Sequence, residues 1–208
     1  MTPYIVTLTG PSCAGKSTLE GLLQKVGFTS VISTTTRTPR AGEVDGQSYY
    51  FINRSDFLKA KEAGAFVESV EFNGELYGIT AAEIRRVADL GRPIVMVVEP
   101  DGLRQVRRYG FDHGWAMLHV FVNNPPKVIA SRFLNRVATD LSLALTAEKT
   151  AAVIESYSKR LAVMLSEEQH WEEDLGDDCH LLLRVFDESN VQDVVGVIQR
   201  YSYDYLRP

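Results

Sequence analysis

Gly10-Pro-Ser-Cys-Ala-Gly-Lys-Ser-Thr18 follows the apolar run Tyr4-Ile-Val-Thr-Leu-Thr9 and leads into a segment of helical period, Lys16–Val26. The spacing Gly10-x-x-x-x-Gly15-Lys16-Ser17 is that of a phosphate-binding loop, and a buried strand before it and a helix after it are the context that motif requires. Glycine at both ends lets the backbone turn so that successive amide hydrogens converge on an anion. The helix N-terminus adds partial positive charge. Gly10, Ser12, Ala14, Gly15, Lys16, Ser17 and Thr18 are therefore candidate ligands of ATP. Lys16 is placed to reach the β- and γ-phosphates, and the Ser17 hydroxyl to hold Mg²⁺. A second apolar run, Ile94-Val-Met-Val-Val98, ends in Glu99. An acid there suits the orientation of magnesium-bound water, so Ser17 and Glu99 form the candidate metal set.

Outward from the loop, apolar runs alternate with helical patterns, which predicts an α/β fold with a parallel sheet covered by helices. Five strands are expected: Tyr4–Thr9, Thr29–Ser33, Ile94–Val98, Leu118–Val122 and Leu181–Phe186. Helices are expected over Lys16–Val26, Ala81–Leu90, Gly102–Tyr109, Lys127–Val137, from about Ala147 to Glu173, and from about Val191 to Tyr205. One region breaks the rhythm. Tyr49–Ile52 reads as a short strand, Ser55-Asp56 opens a helix, and FVESVEFNGELYG (66–78) reads as a hairpin turning at Asn73-Gly74. Ala138–Thr146 is expected to be irregular and part of a mobile lid.

The 208 residues, 45% hydrophobic and 24% charged, fit one globular domain. A net charge of -5 with interspersed signs argues against nucleic acid as a partner. No apolar run is long enough to span a bilayer, and the first residues lack the basic flank and apolar stretch of a signal peptide. No membrane partner and a cytoplasmic location are expected. Cys13 and Cys179 read as reduced thiols.

The second dense cluster is TTTRTPRAGEVDGQSYYF (34–51), in which Arg37 and Arg40 flank a proline and Tyr49 follows a glycine-containing turn. Arginine offers fixed bidentate donors and tyrosine a directed hydroxyl, a combination suited to a phosphate monoester. This motif, FVESVEFNGELYG and the phosphate loop together resemble the guanylate kinase family, the P-loop nucleoside monophosphate kinases that phosphorylate GMP with ATP. The resemblance runs from about Tyr4 to Val137 and returns at Ser158-Lys-Arg-Leu161. It implies a P-loop kinase fold in which the five-stranded parallel sheet carries a small mixed α/β acceptor-binding lobe and a helical lid. The implied divisions within a single domain of 1–208 are a core (1–33, 80–130, 175–208), an acceptor-binding lobe (34–79) and a lid (about 131–160). It also implies ATP and Mg²⁺ as cofactors and small nucleotides as partners.

By the same resemblance Arg37, Arg40, Tyr49 and Tyr77 bind the acceptor phosphate, while Ser33 and Glu68 read guanine. One carboxylate can accept the two parallel donors on the guanine edge. Arg132, Arg136 and Arg160 are implied as lid arginines that grip ATP phosphates and the transferring group, with Lys16, Arg37, Arg132 and Arg160 as the catalytic set. Three departures stand out. Ile79 and Val97 occupy positions where the family places polar groups near the base, beside Glu99, and the segment between Arg136 and Arg160 is longer. Relaxed base or sugar selectivity, towards deoxynucleotides or a modified purine, is the expectation.

Two rival readings stay open: a non-catalytic module that grips phosphopeptides, against which the intact Lys16-Ser17 argues, and a kinase of a sugar phosphate. His113, His119, His170 and His180 show no metal-ligand spacing. Glu167, Glu168, Glu172, Glu173, Asp174, Asp177 and Asp178 are expected to form a solvated acidic patch. The aromatic C-terminus YSYDYLRP packs either on its own domain or on a second copy in a homo-oligomer.

Overall fold

The computed structural model describes residues 3–40, 42–72, 74–175, 178–184 and 190–206. Asn73 of the expected turn, Asp177 of the acidic patch, and Val185 and Phe186 of the expected fifth strand lie outside the described residues, as do the side chains beyond Tyr201. In chain order the first half contains β1 (Tyr4–Thr9), α1 (Lys16–Lys25), β2 (Thr29–Ser30), β3 (Thr34–Thr35), β4 (Tyr50–Phe51), α2 (Arg54–Glu62), β5 (Phe66–Phe72) and β6 (Glu75–Thr80). Then come α3 (Ala81–Ala88), β7 (Ile94–Val97), α4 (Pro100–Asp112), β8 (Ala116–Val122), α5 (Pro126–Leu143), α6 (Ala147–Ser166), α7 (Trp171–Asp174), β9 (Leu181–Leu183) and α8 (Val191–Leu206).

The main sheet has the order β2-β7-β1-β8-β9, and every pairing in it is parallel. All six residues of β1 are buried, because a central parallel strand is covered on both faces. Alternation sorts its side chains. Tyr4, Val6 and Leu8 pack with Leu19 and Leu23 of α1 and Ile198 of α8, whereas Ile5 joins Ile84 and Val87 of α3 and Leu103 and Val106 of α4. With β1 flanked by β7 and β8, Thr9 and Val97 end at the same edge, and the phosphate loop and Glu99 emerge side by side. Ligands of such sheets bind at that carboxyl edge.

The second sheet is mixed, in the order β4-β3-β6-β5, with β3 and β4 parallel and the other pairs antiparallel. Of the expected strand Thr29–Ser33 only Thr29–Ser30 is a strand, and the second sheet begins just beyond it, at Thr34–Thr35. The break has a distant partner: the Ile32 N–H donates to the Glu83 carboxylate at 2.8 Å in place of a ladder carbonyl, and Thr34 and Thr35 then pair with Gly78 and Tyr77 of β6. A bulge between Phe66 and Glu68 sets Glu68 opposite Ile79.

The expected irregular segment Ala138–Thr146 is helical as far as Leu143. No glycine or proline interrupts 127–143, and the hydroxyls of Thr139 and Ser142 bond back to the Asn135 and Thr139 carbonyls within the helix. Only 144–146 connect it to α6, where Thr146 accepts from the Lys149 N–H as N-cap. Helix α6 ends at Ser166 rather than continuing to Glu173; a 3₁₀ turn, Glu168–His170, separates it from α7. Helix α4 starts at Pro100, two residues before the expected Gly102, since proline suits a first helical position. Among the described residues no helix is long and apolar enough to cross a membrane.

Candidate active site

The phosphate loop is built by close approach. A Cβ on Gly10 would stand 2.0 Å from the Val122 carbonyl oxygen, and Gly15 takes a φ of 107° as the N-cap of α1. Cys13, at φ 63°, is the one non-glycine residue with positive φ among those described. Three side chains from distant segments hold this strained loop. Asn124 Nδ2 donates to the Ala14 carbonyl at 2.7 Å, and Arg132 Nη1 donates to the carbonyls of Cys13 (3.3 Å) and Ala14 (3.2 Å). Glu168 accepts from the Ser12 N–H at 2.8 Å and from its hydroxyl at 2.6 Å. Lys16 folds onto the Gly10 and Pro11 carbonyls. Burial pulls its ammonium below the ordinary value, against the opposing fields of Glu168 and Glu99.

Facing the loop across a cavity of about 520 Å³ stands the lobe built on the second, mixed sheet. Arg37 is fixed by a two-pronged pair with Glu43, Nη2 to Oε1 at 2.8 Å and Nη1 to Oε2 at 2.9 Å, and lies over the Tyr49 ring at 5.4 Å. Burial alone would raise the Glu43 carboxyl, but Arg37 and the Arg40 N–H hold it below its ordinary value. Burial, then the charges of Arg160 and Arg37, disfavour the Arg40 cation, and Arg136 adds to that repulsion. Arg37, Arg40, Arg136 and Arg160 thus line one cavity, where an anion would relieve the repulsion on Arg40. The Tyr49 and Tyr77 rings meet edge to face at 6.2 Å beside them.

Glu68 is 5% exposed and its carboxyl is raised to about 8, by burial first and then by Glu99, against the Ile79 N–H. Glu99 is likewise raised to about 8 by burial, with Lys16 opposing and Glu168 and Glu167 adding to the rise. It occupies the N-cap of α4 without capping it, so its carboxylate is free of that duty. Ser17 and Glu99 line the same cavity, and an exposed hydroxyl with a single carboxylate is a donor set that fits Mg²⁺, which takes few protein ligands beside substrate phosphates.

A family model described as guanylate kinase matches residues 1–177 of this chain. The chain belongs to the guanylate kinase family. Over 163 residues it is 34% identical to the guanylate kinase of Prochlorococcus marinus, covering 76% of this chain and 86% of that one. It is 35% identical to that of Sus scrofa over the same length, covering 76% and 79%. A Synechococcus relative reaches 45% over 107 residues, half of this chain and 58% of the other. The crystal structure of the guanylate kinase from Anaplasma phagocytophilum superposes with a TM-score of 0.63 at 18% identity, covering 100% of this chain and 88% of that one, and shares its fold.

The cavity brings together Ser12, Ala14, Gly15, Lys16, Ser17 and Thr18 of the loop with Ser33, Arg37, Arg40, Tyr49, Glu68 and Tyr77. Val97, Glu99, Arg132, Arg136 and Arg160 complete its wall. Gly10 and Ile79 are not on that wall. Gly10 lies against β8, and Ile79 is fully buried in the core with Val67, Ile84 and Met96, so its side chain offers no surface to a base. Ser12 gives both of its donors to Glu168. The expected acidic patch is also divided: Glu168 is 4% exposed, and Glu172 accepts from Asn123 Nδ2 and pairs with Arg184.

Sequence reading missed Glu43, Asn124 and Glu168. Glu43 stood within the arginine motif, and its spacing from Arg37 was the available signal. Asn124 and Glu168 act on the loop from 110 and 156 residues away, and nothing local to them announces it. His119 is buried and its Nδ1 meets the Thr7 hydroxyl at 2.7 Å, a satisfied interior histidine.

Proposed function

We propose that this chain transfers the γ-phosphate of ATP to GMP, dGMP or a closely related purine nucleotide. One observation carries the reading: the phosphate loop, the Arg37/Arg40/Tyr49/Tyr77 cluster and the buried carboxylate of Glu68 share a single cavity. A donor site alone would fit many enzymes. A donor site facing a phosphate clamp with a base-reading acid beyond it fits a nucleotide as acceptor.

The acceptor phosphate is already ionised, so no protein base or nucleophile is required. The chain's contribution is orientation and charge. Arg37 and Arg40, with the two tyrosines, hold the acceptor phosphate, and Glu68 with Ser33 fixes the base so that the attacking oxygen points at the loop. Lys16, Arg132 and Arg160 stabilise the charge of the transferring group, with Arg136 adding to the field around ATP. Arg132 already bonds loop carbonyls, and this links the lid helix α5 to the donor site. Ser17 and Glu99 would hold Mg²⁺. When bound, the ion would neutralise charge on the ATP phosphates.

Half-buried Val97 on the cavity wall keeps a relaxed base or sugar selectivity within the proposal, whereas Ile79 no longer contributes to that case. The test is ADP release with ATP and Mg²⁺ across GMP, dGMP, AMP, 2-aminoadenine deoxynucleotide and ribose bisphosphate, with Lys16→Ala as blank. Turnover of guanine nucleotides supports the reading. Preference for the sugar phosphate, or no turnover on any acceptor, refutes it.

A further inference from the structure

Gly102 lies in the first turn of α4, and no positive φ calls for glycine there. Glycine is the poorest helix former after proline, so α4 carries a local cost that alanine would remove. Space explains it. A Cβ on Gly102 would stand 2.9 Å from Oε2 of Glu68, 3.4 Å from its Cδ and 3.6 Å from the Val98 Cβ.

An added methyl would press on the far end of the Glu68 side chain, which would have to turn towards free space. The Glu68 backbone is fixed opposite Ile79 in the β5–β6 ladder, and Val67, Ile79, Val98 and Leu103 are packed into the same core cluster. The open side is the cavity, where the base must dock. Displacement by an added methyl therefore drives the carboxylate into the volume that its own substrate uses.

We infer that Gly102 is a positioning residue for acceptor recognition: its missing side chain seats Glu68 at the depth from which the carboxylate can pair with a purine edge. The inference rests on the proposed function, and it assigns part of the base specificity to a residue on a different element from the acid itself. Glu99 is also the N-cap of helix α4, so one helix start sets both the acid on the donor side and the floor beneath the acid on the base side.

The experiment compares wild type, Gly102→Ala, Glu68→Asp and the double variant, measuring KM for GMP and for ATP, kcat and the thermal midpoint. For Gly102→Ala, KM for GMP is expected to rise roughly 10- to 100-fold, the range for spoiling hydrogen bonds to a charged group. KM for ATP should stay within about twofold and the thermal midpoint should hold or rise, because alanine is the better helix former. Glu68→Asp withdraws the carboxylate by one methylene and should weaken GMP by itself. In the double variant the shorter acid clears the new methyl, so the combined loss should be smaller than the product of the single losses.

An unchanged KM for GMP in Gly102→Ala overturns the inference. So do equal rises in both KM values with a lowered thermal midpoint, which mark a merely structural role, and so does a double variant whose losses simply multiply. Absence of wild-type turnover on every purine nucleotide tried would instead refute the proposed function, which keeps the two failures distinguishable; if another purine nucleotide is the acceptor, the same KM comparison is made with it.

Discussion

At the donor loop the charged group is a cation bracketed by acids: Lys16 sits in the fields of Glu168 and Glu99 and bonds two loop carbonyls. At the base pocket we propose around Glu68 the charged group is an acid whose charged neighbour is another acid, Glu99. The donor half is thus compensated before any ligand arrives, while the base half is left with an ionisation that a ligand must complete. A general phosphate site gains from being ready for every turnover. A reading site gains from a group that is satisfied only by the right partner, since a buried polar group left unpaired is costly.

The sharpest break of this contrast is Lys16→Ala. It should lower kcat on the order of 10³-fold, as loss of a preorganised transition-state charge does, yet leave the thermal stabilisation by GMP in place. ADP release and a GMP thermal shift measured on the same preparation check both halves. Loss of the GMP shift together with kcat would show that the two regions do not act separately.

This division also explains what could be read from the sequence. The phosphate loop is local: eight consecutive residues, a strand before and a helix after, each specified within its own neighbourhood. A parallel sheet of five strands followed from alternating apolar runs, though not the order of its strands. The base pocket is assembled from β5, β6, β7 and α4, and its details were less accessible. Ile79 looked like a pocket residue because of its place after Tyr77-Gly78, but the bulge at Phe66/Glu68 sets the β5–β6 register that turns it into the core. Ile32 bonds to a side chain 51 residues away and so cuts a strand that β-propensity alone would continue. Glu168 stood among six other acids within twelve residues, and composition reads such a run as solvated; its bonds to Ser12 depend on where α6 stops.

Next in size is Glu68→Gln. An amide offers one acceptor where the carboxylate offers two, so the guanine edge meets a donor in place of a partner. kcat/KM for GMP should fall about 10²-fold while KM for ATP holds, and discrimination against AMP should narrow. Steady-state kinetics with both acceptors check it; equal losses for GMP and AMP would mean that Glu68 does not read the base. Arg37→Lys is smaller and tests the phosphate clamp between the two regions. Lysine cannot reproduce the fork now set by Glu43, and KM for GMP should rise about tenfold with little change in selectivity among bases. A selectivity change of the same size would place Arg37 in base recognition.

The smallest expected effect separates the two acids by pH. Glu68 titrates near 8, against an ordinary value of 4.5, because burial and Glu99 disfavour its charge. With its folded value raised, the fold is favoured at low pH and loses that contribution as pH rises through about 8. Guanine recognition runs in the opposite direction, since it requires the ionised form. The ionised fraction falls as pH drops below about 8, so KM for GMP should be a few-fold higher at pH 7 than at pH 8. Glu99 titrates in the same range, but Lys16 and the metal that Glu99 would hold both favour its charge, so KM for ATP at saturating Mg²⁺ should change less. A titration of both KM values between pH 6.5 and pH 9 decides the matter. Parallel curves would mean that the two acids behave as one coupled pair, whereas a steeper GMP curve that flattens in Glu68→Gln would assign the proton to the base pocket. The sign of the slope carries the argument: if GMP bound more tightly at low pH, Glu68 would act as a neutral acid, and the edge it reads would have to present an acceptor beside its donor.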